Sequence, residues 1–138
     1  MANAFELRQV VDLAEFRTVH RDYQKGIYVP AGGDTAASIR FRPEENDEWG
    51  YSDRWLEEGQ SLDYTGQGAP PAHQTWNRWN QGLRNAHDAG GPVHVFEVLS
   101  SSPRTFRYWG QMRVTRWYEK SVPTQGRNQL RFVLERPT

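Results

Sequence analysis

The sequence of 138 residues contains no cysteine. Disulfide bonds and thiolate metal ligands are therefore excluded, and the composition suits a cytoplasmic protein. No apolar run approaches the length that a bilayer span requires. The N-terminal segment MANAFELRQVVDLAEF also lacks the basic start and long apolar stretch of a secretory signal. We therefore expect a cytoplasmic domain without a membrane partner.

Motifs that would indicate catalysis or a metal site are missing as well. The four histidines form no HExxH or HxH pair, and the sequence contains neither GxxxxGK[ST] nor GxSxG. Paired carboxylates at 44–45, 47–48 and 57–58 can in principle serve acid–base chemistry, but a solvated acidic loop is the simpler interpretation. We predict no catalytic residue, no cofactor and no metal.

Charge of one sign is not in excess over the whole chain, since the net charge is zero. Its distribution is uneven: residues 44–63 contain eight acidic residues and one basic residue, whereas residues 104–138 contain eight basic and two acidic ones. Arginine supplies 15 of the 17 basic residues. Its planar fork suits phosphates and base edges, although a GC-rich genome produces the same bias.

The hydrophobic pattern predicts one domain over residues 1–138. Helical spacing over residues 3–17 predicts an amphipathic helix, and APPAHQTWNRWNQGLRNAHDAG predicts a loop that leads into a second helix ending at Gly90-Gly91. KGIYVP is predicted to form a short strand or an extended turn, and strands are predicted in AASIRFRP, PVHVFEVL, TFRYWGQMRVTRWYEK and NQLRFVLERP. The order favours an α+β domain with a curved or barrel-like sheet.

Aromatic residues in the stretch WGYSDRWLEEGQSLDYTGQG, residues 49–68, give the strongest functional signal. Trp49, Tyr51, Trp55 and Tyr64 lie among glycines and acidic residues rather than in an apolar run. A ring can stack on a base, a carboxylate can accept a hydrogen bond from the amine of cytosine, and a glycine turn exposes backbone polar groups. A pocket for a flipped base needs these components. The alternative is that Tyr51 and Tyr64 pack in the core.

Four collinear segments resemble the SRA (SET- and RING-associated, or YDG) domain, in particular its bacterial branch associated with modification-dependent restriction. They are GYSDRW…LDYTGQG, HQTWNRWNQGL, VHVFEV…FRYWGQMRVTRWYE and LRFVLERP, and the resemblance extends over residues 25–137. It implies a PUA-like curved β-barrel with flanking helices. It also implies a non-catalytic reader that binds double-stranded DNA containing 5-methylcytosine or a related modified cytosine, flips that base, and lies at the bacterial nucleoid.

The resemblance also implies roles for individual residues. Tyr51 and Tyr64 resemble the two rings that sandwich the flipped base, and Asp53 resembles the carboxylate that reads the cytosine amine. Thr65 and Gly66 resemble the turn that lies against the base. The candidate ligands of the DNA backbone are Arg21, Lys25, Arg40, Arg42, Arg78 and Arg84.

Two departures from the family pattern limit what the resemblance implies. The loop after YTGQG is only about APPAHQ, and the family's Asn-x-Ala-Leu appears as Asn80-Gln81-Gly82-Leu83, so CpG specificity is not implied. Three alternatives stay open: the recognition part of a modification-dependent HNH restriction endonuclease, a PUA-like binder of RNA or a small molecule, and a hydrolase that uses the acidic cluster. We also leave open a homo-oligomer and a partner nuclease.

Overall fold

The computed structural model describes residues 4–21, 26–32, 34–41 and 53–137, with only the backbone of residue 101. The strands in this part of the chain are β1 (Val10–Asp12), β2 (Ile27–Tyr28), β3 (Thr35–Ile39), β4 (Arg54–Glu57), β5 (Ser61–Thr65), β6 (Pro92–Ser101), β7 (Arg104–Val122) and β8 (Arg127–Glu135). The α-helices are α1 (Leu13–Phe16) and α2 (Arg78–Ala89), and a short 3-10 helix (Pro123–Gln125) joins β7 to β8.

The strands form one sheet in the order β2-β3-β6-β7-β8-β5-β4, and β1 pairs with β7 beside this path. The pairing of β3 with β6 is parallel and the other pairings are antiparallel. β3 and β5, which are separated by β4 in the sequence, therefore lie near opposite ends of the strand order. The predicted α+β class is confirmed.

The second half of the chain follows its sequence pattern closely. The three period-two segments form β6, β7 and β8, and the predicted strands in KGIYVP and AASIRFRP form β2 and β3. Asn77 caps α2, since its side chain accepts a hydrogen bond from the backbone of Asn80 at 3.0 Å. Gly90 ends the helix in the left-handed conformation, as predicted.

The predicted helix over residues 3–17 is wrong. Val10 and Val11 pair with β7, and the helix begins only at Leu13. A capping box explains this start: Asp12 accepts from the backbone of Glu15 at 2.8 Å, and the Glu15 carboxylate accepts from the backbone of Asp12 at 3.1 Å. The apolar spacing has another cause: Phe5, Val11, Leu13 and Phe16 pack against β6 and β7 from a turn, a strand and a short helix, whereas Leu7 and Val10 are exposed.

Side-chain contacts join the two ends of the open strand path. We call this junction the seam and define it by Gly26, Arg40, Asp53 and Tyr64. Asp53 accepts from the backbone of Arg40 at 3.1 Å, and the Tyr64 hydroxyl donates to the carbonyl of Gly26 at 3.2 Å. Residues from both ends of the strand order therefore lie close together at the seam, although the sheet itself stays open.

An apolar cluster joins α2 to the sheet, and α2 contributes Leu83 and Ala86 to it. Its buried members include Ile27, Ile39, Leu62, Leu83, Val95, Met112, Leu130 and Phe132. In the described part of the chain, neither helix has the length and apolarity needed to cross a membrane.

Candidate functional site

Asp53 connects the two sides of the seam through its carboxylate. Its Oδ1 accepts a hydrogen bond from the backbone of Thr65 at 2.7 Å, and its Oδ2 accepts from the backbone of Arg40. Burial raises the pKa of Asp53 to about 6, while these backbone hydrogen bonds, the charge of Arg131 and the Thr65 hydroxyl oppose the rise. The two oxygens offer about four acceptor sites, so the carboxylate can accept a further donor.

Tyr64 lies in β5 and contributes to both the seam and the core. Its ring belongs to the main apolar cluster and is only 4% exposed. The pattern of residues 49–68 suggested that its aromatic rings lie outside helices and strands. This is wrong for Tyr64 and Trp55, because both lie in strands. Tyr51, the second predicted ring, lies outside the described residues.

A small cavity lies at the seam, and we call it the seam cavity. It is lined by Gly26, Ser38, Arg40, Asp53, Tyr64, Thr65 and Gln67. Its volume is about 10 Å³, which is room for roughly one water molecule. A pyrimidine can enter only when part of this lining moves.

A buried ion pair between Arg131 and Asp63 lies next to Thr65, and its arginine donates a hydrogen bond to the Thr65 hydroxyl. Arg131 is 1% exposed, and its Nε lies 3.1 Å from Oδ1 of Asp63. Its Nη1 donates to the hydroxyl of Thr65, and Tyr118 donates to the other oxygen of Asp63 at 2.8 Å. Since removal of one partner would leave a buried charge, this network fixes β5 against β8.

Helix α2 holds the segment that follows Thr65. The Asn80 side chain accepts from the backbone of Gln67 at 2.7 Å and donates to its carbonyl at 3.0 Å. Gly66 lies so close that a Cβ there would come within 2.8 Å of Oδ1 of Asn80 and 3.0 Å of the Leu130 carbonyl. The described lining of the seam cavity does not include Gly66, so this glycine permits close packing beside the cavity.

The predicted ligands of the DNA backbone lie in different places. Arg40 lines the seam cavity, and Arg21 lines a separate cavity of about 290 Å³ together with Asp34 and His94. Arg78 donates to the carbonyl of Val29 at 3.1 Å from the start of α2.

Arg84, on α2, packs against aromatic rings. Its guanidinium lies 4.8 Å from the ring centre of Trp76 and 4.7 Å from that of Trp117. The other two candidates, Lys25 and Arg42, lie outside the described residues.

Sequence reasoning missed three of the lining residues: Gly26, Ser38 and Gln67. A signal existed for Ser38, because the strand alternation that directs Ile39 to one face places Ser38 and Arg40 on the other. Gly26 lies far from the YTGQG motif in the sequence, and Gln67 is a member of that motif that was not singled out. Among the described residues, no group of three or more histidine or acidic side chains could hold a metal ion.

Comparisons with known proteins concern the family and the fold of the chain. The model of the SAD/SRA domain matches residues 3–138. The crystal structure of the SUVH5 SRA domain with hemimethylated CG DNA is similar, with a TM-score of 0.71 and 26% identity over 96% of this chain and 85% of that chain. The SUVH5 SRA domain bound to fully hydroxymethylated CG DNA gives 0.68 and 25% over the same shares.

A structure with lower sequence identity shows similarity of the fold alone. KRYPTONITE in complex with mCHG DNA and SAH has a TM-score of 0.74 and 18% identity, over 97% of this chain and 32% of that chain. No curated protein sequence matches the chain. The predicted SRA-like fold is confirmed by these structures.

Proposed function

This chain belongs to the SAD/SRA domain family, and from that membership we propose that it binds double-stranded DNA containing 5-methylcytosine or a related modified cytosine. The modified base leaves the duplex and enters the seam cavity. The similar SUVH5 structures are complexes with hemimethylated and with fully hydroxymethylated CG DNA. We also propose that the chain acts as a reader without catalysis, at the bacterial nucleoid.

The observation that carries this proposal is the buried carboxylate of Asp53 at the seam. Two backbone N–H groups and the Thr65 hydroxyl hold its oxygens in place, and a carboxylate offers about four acceptor sites in all. The exocyclic amine of cytosine is a donor that matches such a carboxylate. Thymine presents a carbonyl at the equivalent position and would place oxygen against oxygen.

The ring of Tyr64 supplies the apolar wall. Flipping costs a few kcal/mol, and stacking on an aromatic side chain stabilises the flipped base by about 1–3 kcal/mol. A single methyl group in a shaped apolar pocket contributes about 1–3 kcal/mol. We therefore expect a preference of up to about a hundredfold for methylated over plain cytosine.

The role of Asp53 can be tested by fluorescence of 2-aminopurine placed beside a single 5-methylcytosine. Flipping unstacks the neighbour, so the wild-type protein should raise the fluorescence. Asp53→Ala should abolish most of this rise and most of the preference for the methylated duplex, while much of the non-specific binding remains.

Asp88→Ala is the matched control, because Asp88 is an exposed carboxylate on α2. It should behave as the wild type. An equal loss on all duplexes for Asp53→Ala would contradict the assignment of the site. Cleavage of methylated DNA by the purified protein, with or without Mg²⁺, would contradict the proposed absence of catalysis.

A further inference from the structure

Ser38 presents a buried hydroxyl to the seam cavity. It lies in β3, is 2% exposed, and lines the same cavity as Asp53 and Tyr64. Its backbone N–H donates to the Gly26 carbonyl at 2.8 Å, which fixes the residue at the seam. Its Oγ, however, has no hydrogen-bond partner in the part of the chain that the structure describes.

A buried hydroxyl without a partner destabilises the folded protein. Such a group has lost its hydrogen bonds to water and gained none in return, and native proteins contain few of them. Alanine would fill nearly the same space without this cost. The hydroxyl is therefore explained by a partner that enters the seam cavity from outside.

The chemistry of the cavity identifies the atoms that this partner needs. Asp53, when ionised, only accepts hydrogen bonds, and it already matches the amine of cytosine. The ring nitrogen at position 3 and the carbonyl oxygen at position 2 of the same base are acceptors that require a donor. The Tyr64 hydroxyl already donates to Gly26. The Thr65 hydroxyl is already hydrogen-bonded to Asp53. Among the described lining residues, Ser38 therefore holds the buried O–H that remains.

We propose that the hydroxyl of Ser38 donates a hydrogen bond to the ring nitrogen or the carbonyl oxygen on the Watson–Crick edge of the flipped base. The inference rests on the proposed function and deepens it. Asp53 and Ser38 together present an acceptor and a donor to one edge of the base. Because plain, methylated and hydroxymethylated cytosine share this edge, Ser38 strengthens binding of all three and does not choose among their substituents.

The test compares wild type, Ser38→Ala and the control Ser121→Ala, whose serine is exposed on β7. Each is titrated with duplexes that carry one 5-methylcytosine or one 5-hydroxymethylcytosine, and with a duplex of A·T pairs only. Ser38→Ala should weaken binding of both modified duplexes by the same factor, about three- to tenfold, and leave binding of the A·T duplex unchanged. Ser121→Ala should change none of them.

A duplex with 5-methyl-3-deazacytosine identifies the acceptor. If the effect of Ser38→Ala disappears on this base, the ring nitrogen is the partner. If the effect persists, the carbonyl oxygen is the partner. Equal binding of wild type and Ser38→Ala to the modified duplexes, while wild type still prefers them to plain DNA, would overturn the role of Ser38 and leave the proposed function intact. Absence of that preference in wild type would overturn both.

Thermal unfolding separates this role from a structural one. Without DNA, Ser38→Ala should melt at the wild-type temperature or up to roughly 6 °C above it, because an unpaired buried hydroxyl is removed. A fall of more than about 2 °C would mean that Ser38 stabilises the fold through a partner of its own, and would overturn the inference.

Discussion

At the scale of single residues, Asp53 links folding to the proposed binding of DNA. The same carboxylate that accepts the backbone N–H groups of Arg40 and Thr65 also faces the seam cavity. Its burial makes ionisation unfavourable, which raises its pKa to about 6. The protein therefore holds a costly charge at the position where a donor from DNA would stabilise it.

The pH dependence of unfolding measures this cost. The folded pKa of about 6 lies above the ordinary value of 3.8, so the stabilising contribution of Asp53 is full well below pH 3.8 and is lost as the pH rises through 6. Relative to Asp53→Asn, the free energy of unfolding of the wild type should fall by about 2 kcal/mol between pH 4 and 7.5. Urea titrations across this range provide the measurement, and parallel curves would contradict the expectation.

Tyr64 can be tested with variants that separate its ring from its hydroxyl. Tyr64→Phe removes the hydrogen bond to Gly26, so unfolding should cost about 0.5–1.5 kcal/mol less, while the preference for modified DNA is kept. Tyr64→Leu keeps an apolar side chain but removes the stacking surface. Titrations with modified duplexes should show at least a fivefold loss of affinity for Tyr64→Leu. Unchanged affinity would mean that Tyr64 serves only the core.

At the scale of secondary-structure elements, the sequence predicts long segments well and short ones poorly. β6, β7, β8 and α2 follow from their periods and caps. The helix predicted over residues 3–17 was wrong because a strand, a turn and one helical turn produced an apolar spacing similar to that of a helix. Strands β4 and β5 are short and separated by an acidic turn, so the pattern around Trp55 and Tyr64 resembled a loop.

The close contact between α2 and the residues after β2 explains the departure at Gly82. A Cβ at Gly82 would come within 2.2 Å of one methyl group of Val29. In an exposed helix, alanine would be about 1 kcal/mol better than glycine, but overpacking here costs about 1–3 kcal/mol or more. Gly82→Ala should therefore destabilise the protein in urea unfolding, and Val29→Ala should remove that effect. A stabilising Gly82→Ala in the wild-type background would contradict the contact.

At the scale of the whole molecule, the site exists only because residues from both ends of the strand order lie close together. Gly26, Ser38 and Arg40 come from one end of the strand order, whereas Asp53, Tyr64 and Thr65 come from the other. Motif spacing predicted the second group, since its members are close in the sequence. It could not place Gly26 and Ser38 at the cavity, because their position depends on the parallel pairing of β3 with β6 and on the contacts across the seam; strand alternation indicates only the face of β3 on which Ser38 lies.

The overall charge affects how the protein holds DNA. A net charge of zero provides little long-range attraction, so binding should depend on a few local phosphate contacts. We expect a slope of log affinity against log salt of no more than about 4 in magnitude. Specific recognition of the base should then account for a measurable share of the binding free energy.

The most direct test is an equilibrium titration of fluorescent duplexes that share one sequence and carry cytosine, 5-methylcytosine or 5-hydroxymethylcytosine at a single position. Measured at two salt concentrations, the methylated duplex should bind several-fold to about a hundredfold more tightly than the plain one. All duplexes should weaken together as salt rises. Equal and weak binding of all three would contradict recognition of a modified cytosine at the seam.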